Sequence, residues 1–289
     1  MTFDFTHKIY RNLLQTLLDQ GFSFQPFEEY LNAPATKVII LRHDVDKRPH
    51  YALSMARLEH DMGIRGTYYF RCVPQSWNEA VMRQIATLGH EIGYHYEDLS
   101  IARGNYGVAI QHFLAQLKRM RQIYPTKTIC MHGSPLSKYD NRDLWNAGKV
   151  AGKTSRGSLA ALEMTASNGF VYDYRDYGII GEPYFDVDFT RVLYLTDTGR
   201  RWDGDRVSVR DKTTQTYEIT ASRGEKIFAP TRCRSTHHII AAARANRLAN
   251  QIMLTIHPQR WTDKPVPWLQ ELLWQNVKNV AKWVLVAWR

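Results

Sequence analysis

A parallel α/β fold is what this 289-residue sequence predicts. Two observations carry the prediction. Short β-branched or aromatic runs alternate with amphipathic stretches in units of about thirty residues. Several of those runs also end abruptly in titratable side chains. The first is Lys37-Val38-Ile39-Ile40-Leu41, preceded by the breaker Asn32-Ala33-Pro34 and followed by Arg42-His43-Asp44-Val45-Asp46. In parallel α/β folds, reactive groups collect at the carboxyl ends of the strands. The polar ends are therefore expected on one rim.

Each element has a local reason. Thr6 is placed to cap a helix over 6–20, with Ile9, Leu13, Leu14, Leu17 and Leu18 at helical spacing and Gly21 as its stop. Pro49 to Met62 reads as a helix closed by Gly63. Gly66 to Phe70 is a strand, Trp77 to Leu88 a helix, and His90 to His95 a strand. Tyr106 to Tyr124 is a long amphipathic helix. Thr128 to Met131 is a strand running into His132-Gly133-Ser134-Pro135. Short strands are expected at Phe170–Tyr174, Tyr184–Phe189 and Arg191–Leu195. Ser235 to Asn246 is a helix, Ile252 to Ile256 the last core strand, and Trp268 to Val286 the closing helix. The chain reads as one domain over 1–289, with an irregular insertion at about 165–225.

Composition narrows the function classes. Hydrophobic residues make up 44% of the chain, as in a globular protein. The net charge of +10 suits an anionic partner or a merely basic surface. Its cations are scattered, without the tail or basic helix of a nucleic-acid binder, so no nucleic acid is expected. The three cysteines have no short spacing, which argues against a disulfide framework or a cysteine zinc site. The first residues lack the pattern of a signal peptide, and no apolar run is long enough to span a bilayer. A cytoplasmic protein without an integral membrane segment is the expectation. The apolar Trp283–Trp288 is expected to pack on the body of the domain.

The chemistry lies at the strand ends. Asp44 and Asp46 are two residues apart, so on an extended strand they point the same way. Two converging carboxylates at the end of a buried strand need a cation. A divalent metal, an arginine or a protonated histidine meets that need, and an Asp that caps the following helix is the plainer structural reading. His95 and His132 end neighbouring strands and His257 ends the last. His43 is expected to orient the carboxylates rather than to ligate, with Glu97 in a supporting role. His90 reads as a satisfied core histidine, and His237-His238 as surface. Asp186-Val187-Asp188 repeats the alternate-Asp pattern and could hold sugar hydroxyls or an Arg. Arg200, Arg201, Trp202 and Asp203 are candidate substrate contacts, because Trp stacks on sugar faces and Arg grips anions; an ordinary surface loop is the equal alternative. Gly148, Gly152, Lys153 and Thr154 only faintly suggest a phosphate loop, since no strand precedes them.

The order of these strand ends resembles the polysaccharide deacetylase family, that is, carbohydrate esterase family four or the NodB-homology proteins. Asp44-Val45-Asp46 is similar to its first motif, Gly63–Phe70 to its second strand, Gly89–His95 to its GHEIGNH segment, and Leu254–Pro258 to its late strand. The resemblance implies a distorted (β/α) TIM-like barrel. It implies Asp44 as catalytic base, Asp46 and His95 as metal ligands, and His257 as catalytic acid. Two features depart from the family. Leu99 stands where a second metal histidine is usual, and His132-Gly133-Ser134-Pro135 replaces an Arg-x-Pro motif. His132 is the expected third ligand, with Glu97 or Asp98 as alternatives. Zinc suits such ligands, and Fe²⁺, Co²⁺ or Ni²⁺ also accept them. The implied activity is hydrolysis of a C–N amide bond. Its expected form is de-N-acetylation of a nucleotide-linked or lipid-linked sugar in surface polysaccharide or lipopolysaccharide biosynthesis. A carbohydrate-binding relic of the fold, without catalysis, is the alternative.

Overall fold

The computed structural model describes residues 3–134, 137–146, 172–202 and 233–287. In chain order the elements are α1 (His7–Asp19), β1 (Ser23–Gln25), α2 (Phe27–Asn32), β2 (Val38–Val45), α3 (Pro49–His60), β3 (Thr67–Phe70) and α4 (Glu79–Thr87). There follow β4 (Glu91–Tyr96), α5 (Asp98–Ile101), α6 (Tyr106–Arg121), β5 (Ile129–Met131) and α7 (Asp143–Asn146). The chain closes with α8 (Pro183–Asp186), β6 (Leu193–Thr196), α9 (Thr236–Arg244), β7 (Gln251–Ile256) and α10 (Pro265–Ala287).

The strands form one parallel sheet in the order β5-β4-β3-β2-β7-β6. It curls into an open, distorted barrel, as the strand–helix alternation and the family resemblance lead one to expect. Strand β2 is central. It pairs with β1 along Val38–Ile40 and with β3 along Arg42–Val45, while β7 runs along its other side. No helix among the described residues is long and apolar enough to cross a membrane.

Strand alternation sorts the side chains. Odd positions of β2, such as Ile39 and Leu41, join α1, α9, Leu195 and Leu254 in an outer core. Tyr68, Ile92, Tyr94 and Tyr96 pack outward against α4 and α6. The opposite parity faces the interior, where Ile40, Tyr69, Cys130, Tyr194 and Met253 meet Phe27. Phe27 is fully buried and plugs the amino-terminal end of the barrel. Gly93 allows the Tyr69 ring to cross this interior, because a Cβ there would lie 2.3 Å from the ring.

Two expected strands take another form. Tyr184–Phe189 is expected to be extended, but Pro183–Asp186 is a helical turn. Proline at its start, the Glu182 carboxylate accepting from Tyr184 N–H, and the Asp186 carboxylate accepting from Glu182 N–H outweigh the β propensity of its residues. At the end of Phe170–Tyr174, Tyr174–Tyr177 forms a 3₁₀ turn capped by Asp173. The phosphate-loop candidate, Asp203 and residues 165–171 and 203–225 of the expected insertion lie outside the described residues, as do the side chains of Trp283–Trp288.

Candidate active site

The interior-facing residues of β2, read upward, are Ile40, Arg42, Asp44 and then Asp46 just beyond the strand. Pairing of His43 with Ile256 brings His257 beside Asp44. Pairing of His95 with Cys130 brings Glu97 beside His132, again on inward parity. The parallel register therefore gathers side chains from four strands at one carboxyl rim.

Asp44 and Asp46 have different partners. Arg42 lies two residues before Asp44 on the same face and grips both its oxygens, Nε to Oδ1 at 2.8 Å and Nη2 to Oδ2 at 2.6 Å. The Arg42 side chain is 1% exposed. Burial pushes the Asp44 carboxyl up, but the charges of Arg42 and His95 bring it below its ordinary value. Asp46 has no such clamp. Gln259 donates to its Oδ2 at 3.0 Å, whereas its buried Oδ1 has no hydrogen-bond partner.

Two imidazoles face that oxygen. His95 Nε2 lies 3.6 Å from Asp46 Oδ1, and His132 Nε2 lies 3.7 Å away. Each ring is held from behind. His95 Nδ1 donates to the carbonyl of Cys130 at 2.9 Å, and His132 Nδ1 donates to Glu97 Oε2 at 2.9 Å. With Nδ1 donating in these contacts, Nε2 is the nitrogen that each ring turns toward Asp46 and the one that could ligate a cation there. Arg71 grips Glu97 in turn, with Nε at 2.8 Å and Nη2 at 2.9 Å. Burial pushes Glu97 up, yet His132 and Arg71 hold its carboxyl down at about 2.

One oxygen and two nitrogens, all within 4.8 Å of one another, fit a divalent cation. A second group, Asp44, His95 and Cys130, meets the same distance limit. It shares His95 with the first, and Arg42 already neutralises its only carboxylate. The orphaned Asp46 Oδ1 therefore marks the first group as the better cradle. Asp46 and His132 retain 23% and 17% side-chain exposure, which leaves that cradle open to solvent on one side.

His257 closes the rim. Its Nδ1 donates to Asp197 Oδ1 at 2.6 Å, and its backbone N–H donates to Asp197 Oδ2 at 3.0 Å. Arg260 Nη1, at 2.6 Å, and Trp261 Nε1, at 2.7 Å, also donate to that buried carboxylate. Burial raises the Asp197 carboxyl, and the charges of Arg260 and His257 outweigh it. The carboxylate thus stays ionised behind the imidazole.

No family model matches the sequence, and no curated protein is similar to it in sequence. In the solved structures, the chain is similar to a Streptococcus mutans CE4 esterase, with a TM-score of 0.41 and 12% identity over 91% of this chain and 89% of that one.

Several sequence expectations need correction. His43 has odd parity, so its ring points away from Asp44 and Asp46. Its Nε2 meets Glu59 Oε1 at 2.9 Å on the outer side of the sheet, and Glu59 is the carboxylate it orients. Asp98 also faces outward, where Tyr94 and His112 hold it, so it is no alternative ligand. Glu97 accepts from His132 Nδ1. Trp202 is 1% exposed and donates to Thr236, leaving no ring face for a sugar. Arg200 is buried between the rings of Phe5 and Trp268 and donates to the carbonyl of Arg260. Arg201 is partly exposed. Of the two readings of Asp186, the structure shows the arginine: Asp186 accepts from Arg175, and from Tyr174 as well. His90 is the satisfied core histidine expected, between Gly66 N–H and the carbonyl of Ala56.

The sequence reading does not identify Arg42, Arg71, Asp197 or Gln259. Arg42 was detectable, since Arg-x-Asp-x-Asp places three side chains on one face of a strand. The other three reach the site through long-range pairing that no local spacing announces.

Proposed function

We propose that this protein is a metal-dependent amidohydrolase that removes an N-acyl group, specifically the N-acetyl group of a sugar. The observation that carries this reading is the buried, unpartnered Asp46 Oδ1 faced by two imidazoles whose other nitrogens are already held. Asp46, His95 and His132 would hold the ion. A divalent ion so placed would acidify a water and polarise a carbonyl.

The remaining roles belong to the chain itself. Asp44, fixed by Arg42 and kept ionised, accepts a proton from the attacking water. A carboxylate with a lowered pKa is a weak base, so it depends on an acidified water; this is the physical reason to expect metal dependence. Across the rim, His257 gives a proton to the departing amine while Asp197 stabilises the charged ring. Acid and base thus approach the scissile bond from different strands, β7 and β2. The N-acetyl sugar and its place in making a surface polysaccharide or lipopolysaccharide follow from the family resemblance of the motifs. A nucleotide or lipid carrier would suit the basic charge.

The test is amine release from a panel of N-acetyl sugars, with metal-loaded and chelated protein, beside Asp44→Asn. Release that needs metal and Asp44 supports the reading. Sugar binding without release by the metal-loaded protein would assign the fold to a binding role.

A further inference from the structure

Strand parity puts a thiol on the inner face, beside the candidate metal centre. Cys130 pairs in register with His95 and is fully buried in the interior cluster with Tyr69 and Tyr194. Its Sγ lies 3.7 Å from the carbonyl of Met131, a weak contact for an S–H donor. One ligand atom each from Asp44, His95 and Cys130 lies within 4.8 Å of the others. His95 belongs to both groups. Its Nδ1 donates to the carbonyl of Cys130, so Nε2 is its ligating nitrogen. That atom stands 3.6 Å from Asp46 Oδ1 and 3.8 Å from Asp44 Oδ2. A single lone pair serves one ion, so the two groups can be filled in turn but not together.

The donors differ in softness. Asp46, His95 and His132 offer one oxygen and two nitrogens, whereas Asp44, His95 and Cys130 offer oxygen, nitrogen and sulfur. Arg42 neutralises Asp44, which disfavours the second group for an ion that seeks oxygen or nitrogen. A thiolate reverses that preference for a thiophilic ion and adds a negative charge to balance it. Asp44 Oδ2 can ligate while still accepting from Arg42, since an ionised carboxylate accepts at about four sites. We propose that Asp44, His95 and Cys130 form an inhibitory site for a thiophilic divalent cation such as Cd²⁺, which excludes the catalytic ion. Binding breaks the Cys130 S–H bond, forms a sulfur–metal bond and releases the proton to solvent. It also makes Asp44 a ligand, so that it no longer serves as base. The exclusion rests on the reading of Asp46, His95 and His132 as the metal centre; the sulfur site does not.

The test is titration of the metal-reconstituted chain with Cd²⁺, followed by ultraviolet thiolate-to-cadmium absorption and by metal content after desalting. The expected result is one-for-one exchange of the resident ion for Cd²⁺. The absorption should vanish in Cys130→Ser and persist in Cys72→Ser and in His132→Ala, with a thermal melt to check each fold. Absorption that survives in folded Cys130→Ser, or exchange without absorption, would overturn the proposal and leave the metal centre standing. Two ions held together would overturn the exclusion. Absorption in a chain that retains no resident ion would instead refute the metal centre and uphold the sulfur site.

Discussion

Strand β2 carries a buried ionisable cluster on each face, and the two differ in closure. On the outer face, Glu59 accepts from Tyr10 at 2.7 Å and from Tyr68 at 2.9 Å, and pairs with His43 at 2.9 Å. The Glu59 and His43 side chains have no exposure, and the His43 ring stacks on Tyr68 at 3.9 Å. On the inner face, Asp44 is similarly satisfied, but Asp46 Oδ1 has no partner and two imidazoles approach without reaching it. Both clusters use histidine and carboxylate. A closed network ties elements together; an open one with held imidazoles leaves room for an ion. The useful distinction is which polar atoms lack a partner, rather than which residue types are present.

The comparison predicts different consequences on the two faces. The largest effect is expected inside: His257→Ala should lower kcat by roughly 10²–10⁴-fold with little change in melting temperature, the range for loss of a general acid. Pre-steady-state assays on the chosen N-acetyl sugar would measure it. Asp197→Asn should also lower kcat, by a smaller factor, because the ring would lose the carboxylate that accepts from its Nδ1 and fixes its orientation.

Outside, Glu59→Gln should cost about 1–3 kcal/mol by denaturant unfolding, since it removes a fully buried carboxylate that Tyr10, Tyr68 and His43 all meet. Metal content should not change. The same variant tests acid stability. Burial raises Glu59, while His43 and Tyr10 pull it below its ordinary value of 4.5. A depressed carboxylate contributes stability that is present above the ordinary value and lost as pH falls through the folded one. Wild type should therefore lose stability more steeply than Glu59→Gln below about pH 5. A smaller inner effect is expected from Glu97→Gln, which alters the group orienting His132: roughly 10–100-fold weaker metal affinity by competition with a chelator.

Much of this arrangement was legible in the sequence. Alternation of strand and helix gave the parallel fold, and polar strand ends gave Asp44, Asp46, His95, His132 and His257. Strand parity could also have placed His43 outward, because it sits between two inward aspartates. What local sequence did not contain was register. Arg71 reaches Glu97 across neighbouring strands, and Asp197 reaches His257 from the strand on the far side of β7. The loop after β6 reads as a binding loop because it is rich in Arg, Trp and Asp. Tertiary packing instead buries Arg200 and Trp202, so substitution of Trp202 should change stability and not KM.

The most direct test is metal content of purified, reconstituted protein for wild type, His132→Ala and Glu59→Gln. The account predicts near-stoichiometric divalent metal in wild type and in folded Glu59→Gln, and loss in His132→Ala. Metal retained by His132→Ala, or absent from reconstituted wild type, would contradict the assignment of the open inner cluster as the metal centre.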